Sequence, residues 1–280
     1  MPTGPHSNVD GATVTDFGLE WARFDQSALS ESELAQMFDS YFSIFPWHEL
    51  PAGAEGFDAG CGSGRWARFV APRVGRLHCI DASDAALAVA KNRLADAGNV
   101  AFHRTSLDAL TLADASQDFG YSLGVLHHMP DTKGGIAACV RKLKPGAPFL
   151  LYIYYAFDNR ALWFRALWRL SDLLRRAVAP APFRIKSVVA ELLAALVYWP
   201  LARGARLVEL LGVDPEGLPL AAYRRRSFYV MRNDALDRFG TRLEQRFTAR
   251  EIEAMMRAAG LTDIRFSPAA PFWCAVGRRG

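Results

Sequence analysis

The stretch Asp58-Ala59-Gly60-Cys61-Gly62-Ser63-Gly64 constrains this chain more than any other. It lies between a short apolar segment ending at Phe57 and a helical run that begins near Arg65. Three glycines at alternate positions behind an acid let a backbone turn sharply and approach a ligand without Cβ clashes. The next helix offers unsatisfied N–H groups at its start. The dinucleotide fingerprint G-x-G-x-x-G does not fit, because the third glycine comes one position early and Arg65 stands where that glycine would be. A glycine-rich strand-to-helix turn also occurs in α/β proteins that hold no nucleoside, so the reading depends on the pattern downstream of Gly64.

Downstream, strands and helices alternate. Arg76–Ile80 reads as a buried strand ending at Asp81, and Ser83 or Asp84 caps a helix that Gly98-Asn99 stops. Val100–Arg104 is a short third strand, Phe119–Leu126 a fourth, Thr132–Leu143 a helix, and Phe149–Tyr154 a fifth strand after the turn Lys144-Pro145-Gly146. Strands and helices in this rhythm predict a mostly parallel sheet covered on both faces. Ligands then bind beyond the carboxyl ends of the strands, where strand order reverses. Asp58, Asp81, Ser106 and Gly124 fall at or just past such ends and are expected to converge on one crevice.

From about Phe57 to Tyr155 the chain resembles class I S-adenosylmethionine (SAM)-dependent methyltransferases of the small-molecule type, similar to the ubiquinone/menaquinone-biosynthesis enzymes. The matching pieces are Asp58–Gly64, Cys79-Ile-Asp81-Ala-Ser83, Ser122-Leu-Gly-Val-Leu-His-His-Met-Pro-Asp131 and Leu143-Lys-Pro-Gly146. The resemblance implies a Rossmann-like α/β fold: a seven-stranded, mostly parallel sheet with its last strand antiparallel, here carrying a mainly helical cap insertion. It implies SAM as cofactor and S-adenosylhomocysteine as product. Gly60, Gly62 and Gly64 would form the turn beneath the methionine part, with Cys61 a spacer and Asp58 the acid behind it. Asp81 would accept from the ribose hydroxyls, a role that suits an ionised acceptor, and Ala82 would lie against the adenine. One departure stands out. Where the family commonly places an acid for the adenine amino group, this chain has Ser106, a weaker acceptor, with Leu107 for backbone and apolar contact and Asp108 nearby.

In such chemistry the cofactor supplies an activated methyl, and the protein aligns the acceptor and takes its proton where the acceptor is a hydroxyl. His127 and His128 come directly after the fourth strand, and histidine titrates near neutral pH. They are the candidate base, His127 first, and equally candidates for shaping the pocket. An oxygen acceptor on a small biosynthetic intermediate is the first expectation. Nitrogen or carbon acceptors, or a SAM-binding module without transfer activity, are the alternatives.

The flanks differ from the common core. Residues 1–16 are polar and read as a disordered tail. Residues 17–50 bring Phe17, Trp21 and Phe24 ahead of a helix from Glu31; Trp21 either covers the cofactor as part of a lid or docks the tail. The core proper is expected over 51–156, a helical insertion over 157–246, and a helix with two strands completing the core over 247–280. Ser227–Met231 reads as extended.

The insertion holds 16 Arg/Lys against 9 Asp/Glu, a net +7 in a chain of net +4, which leaves −3 for the rest. That balance predicts an acidic substrate or an anionic surface. Arg224-Arg225-Arg226 is either an anion site or a run paired with nearby acids. No nucleic-acid-binding module accompanies the charge. Helices bearing Trp163, Trp168 and Trp199 are expected as a cap or homodimer contact, with peripheral membrane contact as the alternative. Glu191 and Arg203 bracket the longest apolar run, so no membrane-spanning segment is expected. Cys61, Cys79, Cys139 and Cys274 lack metal-ligand spacing and predict reduced thiols in a cytoplasmic protein with no bound metal.

Overall fold

The computed structural model describes residues 8–24 and 28–280. It divides into two units, one made of the residues up to 24 with 34–156 and 243–280, the other of 28–33 with 157–242.

The first unit is built on a seven-stranded sheet in the order β3-β2-β1-β4-β5-β7-β6. Its strands are β1 (Glu55–Ala59), β2 (Arg76–Asp81), β3 (Val100–Arg104), β4 (Phe119–Leu123), β5 (Pro148–Tyr152), β6 (Leu261–Phe266) and β7 (Cys274–Arg279). The first five pair in parallel, and β7 runs antiparallel between β5 and β6. Strand order reverses between β1 and β4, which places the crevice at their carboxyl ends. Central strands read as near-continuous apolar runs because both faces are covered. Phe57, Phe119, Phe149, Leu150 and Ile80 are buried in this layer.

Helices α1 (Gly11–Arg23), α2 (Glu31–Phe42), α3 (Ala67–Val70), α4 (Asp84–Arg93) and α5 (Thr132–Lys142) precede the insertion, and α10 (Ala249–Ala258) comes after it. Their ends obey capping chemistry. Ser83 accepts from the Ala86 N–H, Asp131 from Gly134, and Thr248 forms a reciprocal capping box with Glu251.

Residues 11–16 correct the expected disordered tail, since they open α1; residues 1–7 lie outside the described residues. Two side chains explain the order. Asp10 caps the helix by accepting from the Thr13 N–H. Asn8 donates from Nδ2 to the Asp131 carbonyl, accepts from the Asp131 N–H, and gives its own N–H to Asp108. The segment is therefore tied to the loops after β3 and β4.

The second unit is helical: α6 (Leu162–Val178), α7 (Phe183–Leu193), α8 (Trp199–Leu210) and α9 (Phe228–Gly240). Ser227–Met231 corrects the expectation of an extended segment. The Ser227 hydroxyl caps α9 at the Val230 N–H, and Val230, Met231 and Leu236 are buried where α9 packs against α7. Tertiary packing overrides the strand preference of Phe228, Tyr229 and Val230.

The α7–α8 segment forms one continuous rod. A π-helical turn, Ala194–Tyr198, joins the two helices just ahead of Pro200, whose ring cannot donate to the preceding turn. The resulting helix Phe183–Leu210 is long and apolar enough, by length and composition alone, to cross a membrane. Two of its charged side chains are engaged within the unit. Glu191 takes two bonds of 2.6 Å from Arg232 of α9, and Arg203 donates to the Arg224 and Arg226 carbonyls.

Arg224 and Arg225 both bond Glu209, at 2.9 and 3.1 Å. The arginine run is thus engaged with an acid, the second of its two readings.

Candidate active site

The glycine turn leaves β1 with Gly60, Gly62 and Gly64 all in the left-handed region, at φ +82°, +52° and +72°. Only glycine adopts such a run of conformations at low cost. Cys61 between them is a buried free thiol that packs within the turn. The turn is held from the neighbouring strand: the Gly60 and Cys61 N–H groups donate to the Ile80 carbonyl.

Asp81, half-buried at the end of β2, completes the frame. Its Oδ2 accepts from the Gly62 N–H at 2.9 Å and its Oδ1 from the Ser83 N–H at 2.8 Å. Each carboxylate oxygen keeps a second lone pair for a ligand hydroxyl. Burial pushes the Asp81 carboxyl up, and the N–H groups of Ser83, Gly62 and Ala82 pull it back. Ala82 is half-buried beside it.

Asp58 lies one residue before the end of β1 and is fully enclosed. Burial pushes its carboxyl up to about 8, against the opposing pull of the Tyr121 hydroxyl. Stability therefore depends on pH. A carboxyl raised above its unfolded value contributes fully below pH ~4, and that contribution falls through about pH 8 as the folded state surrenders its proton. Between about pH 5 and 7 the ligand-free protein should lose about 1.4 kcal/mol per pH unit from this group, a slope that halves at about pH 8. Asp58→Asn should flatten that slope in denaturant titrations, and equal slopes in the two proteins would contradict the assignment.

On the β3 side, Ser106 is half-buried and donates its hydroxyl to Asp108, which also accepts from the Asn8 N–H; Leu107 is buried. Serine and acid therefore act as one polar unit at the position where the sequence departs from the family pattern. At the end of β4, Gly124 has φ +80° and open space where a Cβ would point.

Helix α1 lies along these strand ends. A Cβ on Gly62 would meet Trp21 Nε1 at 2.9 Å, a Cβ on Gly18 would meet Ser83 Oγ at 2.6 Å, and the Phe17 ring lies 4.8 Å from that of His128. Arg65 stacks over Trp21 at 5.3 Å. The Trp21 segment is thus a helix seated on the glycine turn. Gly62→Ala should cost about 1–2 kcal/mol through its left-handed backbone alone, and more by displacing Trp21. Thermal unfolding reads this directly, and an unchanged midpoint would argue against the packing.

His127 and His128 form a short turn behind Gly124, and both are buried. They differ in their ties. His128 Nδ1 donates to the Leu243 carbonyl at 2.7 Å, which leaves the lone pair on Nε2. His127 is sandwiched between the rings of His128 and Tyr154, at 3.8 and 3.9 Å. Neither of its ring nitrogens has a hydrogen-bond partner among the described residues. Burial first, then His128 and Arg246, hold this imidazole well below the usual histidine range, so it is neutral at physiological pH.

Sequence reasoning missed the strand of chain that closes this corner. Leu243–Phe247 runs beside β5's extension: Gln245 N–H donates to the His127 carbonyl, and Phe247 N–H to that of Tyr154. Arg246 lies over the Tyr154 ring at 4.8 Å and bonds the enclosed Glu244 carboxylate at 2.8 Å. The only local sign was the Thr248 cap just downstream, which does not reveal a buried ion pair upstream.

Comparison with known proteins bears on the domain and the fold. Residues 57–151 match the methyltransferase domain family. The match supports a class I SAM-dependent methyltransferase domain over these residues. It is 33% identical over 160 residues to the ubiquinone biosynthesis O-methyltransferase of Pseudomonas fluorescens strain Pf-5, covering 55% of this chain and 66% of that protein. The enzyme of the same name from Nitrosospira multiformis is 32% identical over 164 residues, with 54% and 66% covered. The chain thus spans just under two thirds of the length of these relatives. Among solved structures, YcgJ of Bacillus subtilis aligns at TM-score 0.50 and 18% identity, covering 85% of this chain and 70% of that one. A SAM-dependent methyltransferase of Thermotoga maritima aligns at TM-score 0.50 and 13% identity, covering 94% and 100%. These two likenesses concern the fold.

Proposed function

We propose that this protein moves a methyl group from SAM to an oxygen, hydroxyl or carboxylate, of a small-molecule acceptor. The observation that carries the reading is His127: a neutral, enclosed imidazole with no hydrogen-bond partner among the described residues, in the turn that follows Gly124 at the end of β4. Buried polar atoms are ordinarily satisfied, and a catalytic role is one of the few reasons for an exception.

The crevice fits the cofactor. The turn at Gly60, Gly62 and Gly64 carries no side chain of its own, Asp81 presents two acceptors for vicinal hydroxyls, and Ala82, Ser106 and Leu107 would flank the base. Asp58 supports the turn from below, and Trp21 covers it. When bound, SAM supplies an activated sulfonium methyl.

His127 accepts the hydrogen of an acceptor hydroxyl, and the Tyr154 and His128 rings fix its plane. The charge of Arg246 opposes an imidazolium, and the paired Glu244 offsets that charge. The names of the Pseudomonas and Nitrosospira relatives, both O-methyltransferases, support oxygen as the acceptor atom.

The test is methyl transfer from isotopically labelled SAM to a panel of phenols, catechols, carboxylic acids and amines, with the product bond assigned by mass spectrometry and NMR. O-methyl products are expected. A product methylated only at nitrogen or carbon would overturn the reading.

A further inference from the structure

Helix α6 exposes its most apolar face. The face it buries is mixed, with Val178 enclosed and Phe164 and Trp168 half-buried against Phe157 beside a polar cluster. Asp172 and Arg175 are enclosed, bonded to each other at 2.6 Å, and Arg175 also donates to the Thr241 and Arg242 carbonyls. Ser171 on the same side accepts from Arg238. The face it exposes is apolar: Leu162, Trp163, Leu167, Leu170, Leu173 and Leu174 are between 44 and 78% accessible. These positions recur at three- and four-residue intervals and form one stripe along the helix.

The stripe has a charged border. Arg165, Arg169 and Arg176 succeed one another at intervals of four and seven residues, along one edge of it. Arg176 is bonded to Asp172 at 2.9 Å. Among the described residues the side chains of Arg165 and Arg169 have no ion-pair partner. Asp172 is the sole acid of α6, and it is buried. The outer surface of this helix is therefore apolar and cationic, with no exposed acid.

We propose that α6 lies in the headgroup region of an anionic lipid bilayer, with its leucines and Trp163 among the acyl chains and Arg165 and Arg169 on the lipid phosphates. Low overall hydrophobicity, a cationic border and Leu/Trp on the other side are what an in-plane interfacial helix requires. Charge decides against a second copy of the chain as the occupant. A two-fold contact would set the same unpaired guanidinium groups around one shared patch with no acid to meet them. The proposal is independent of the methyl-transfer reading.

The test is flotation of the full chain with phosphatidylcholine vesicles containing about 30% phosphatidylglycerol, and with pure phosphatidylcholine vesicles, at low and high salt. Binding is expected to the anionic vesicles, at least tenfold weaker to the neutral ones, and reversed by 1 M salt. Leu170→Glu with Leu173→Glu should abolish it, and Arg165→Glu with Arg169→Glu should remove the preference for anionic lipid. All four positions are solvent-accessible, and unchanged circular dichroism confirms that each variant folds. No flotation of the folded wild type would overturn the proposal. So would a wild-type dimer in light scattering that the Leu170/Leu173 variant converts to monomer without any vesicle binding. Retention through carbonate extraction would mean a spanning helix rather than an interfacial one, and would equally overturn it.

Discussion

Asp81→Ala is expected to weaken both SAM and S-adenosylhomocysteine by tenfold or more, at least about 1.4 kcal/mol. Two losses combine. The ribose hydroxyls lose an ionised acceptor, and the Gly62 and Ser83 N–H groups lose the oxygens that hold the glycine turn in shape. Asp81→Asn keeps one carbonyl acceptor and should fall between the two. Equilibrium dialysis with labelled cofactor measures all three proteins under one condition, and equal affinities would remove Asp81 from the site. Because the substitution also disturbs the turn, the loss should exceed that of Ser106→Ala, whose hydroxyl is one member of a pair with Asp108.

The second large effect is expected at His127. His127→Ala should lower kcat by about 10²–10⁴-fold, the usual contribution of a positioned general base, while cofactor affinity stays within about threefold, since no ribose or methionine contact is removed. The variant also leaves a gap between the rings of His128 and Tyr154, so His127→Gln is the informative companion. It fills the space and can accept a hydrogen bond but has no basic nitrogen. A kcat restored by Gln would make His127 a positioning residue, whereas a kcat that stays low in both would keep it as the base. In the wild type, kcat should be flat from pH 6.5 upward, because burial and Arg246 already hold the imidazole neutral there.

How far the sequence disclosed this molecule depends on the range over which each signal acts. The glycine turn, the Asp81 strand end and the Thr248 capping box are set by neighbours within a few residues, and they lie where their residue types place them. The alternation of strands and helices disclosed the parallel sheet, while the β1/β4 switch point emerges only from the observed strand order.

The features that escaped detection depend on contacts across long stretches of chain. Asn8 is one polar residue in a Gly/Ser/Thr-rich segment, yet its amide spans to Asp131 and its N–H to Asp108. Ser227–Met231 has the aromatic and β-branched content of a strand but is pulled into α9 by its cap and by packing on α7. Glu244 and Arg246 look like surface charges in sequence, and only the path of Leu243–Phe247 beside His127 and Tyr154 buries them. Helix α6 reads as an ordinary amphipathic helix, because periodicity reports a stripe without saying which side faces inward.

Isothermal titration of the folded wild-type chain with S-adenosylhomocysteine tests the central claim most directly. One site per chain, with binding heat that diminishes in Asp81→Ala, is the predicted result. Absence of heat at millimolar ligand, from protein whose circular dichroism shows the α/β fold intact, would contradict the assignment of the crevice.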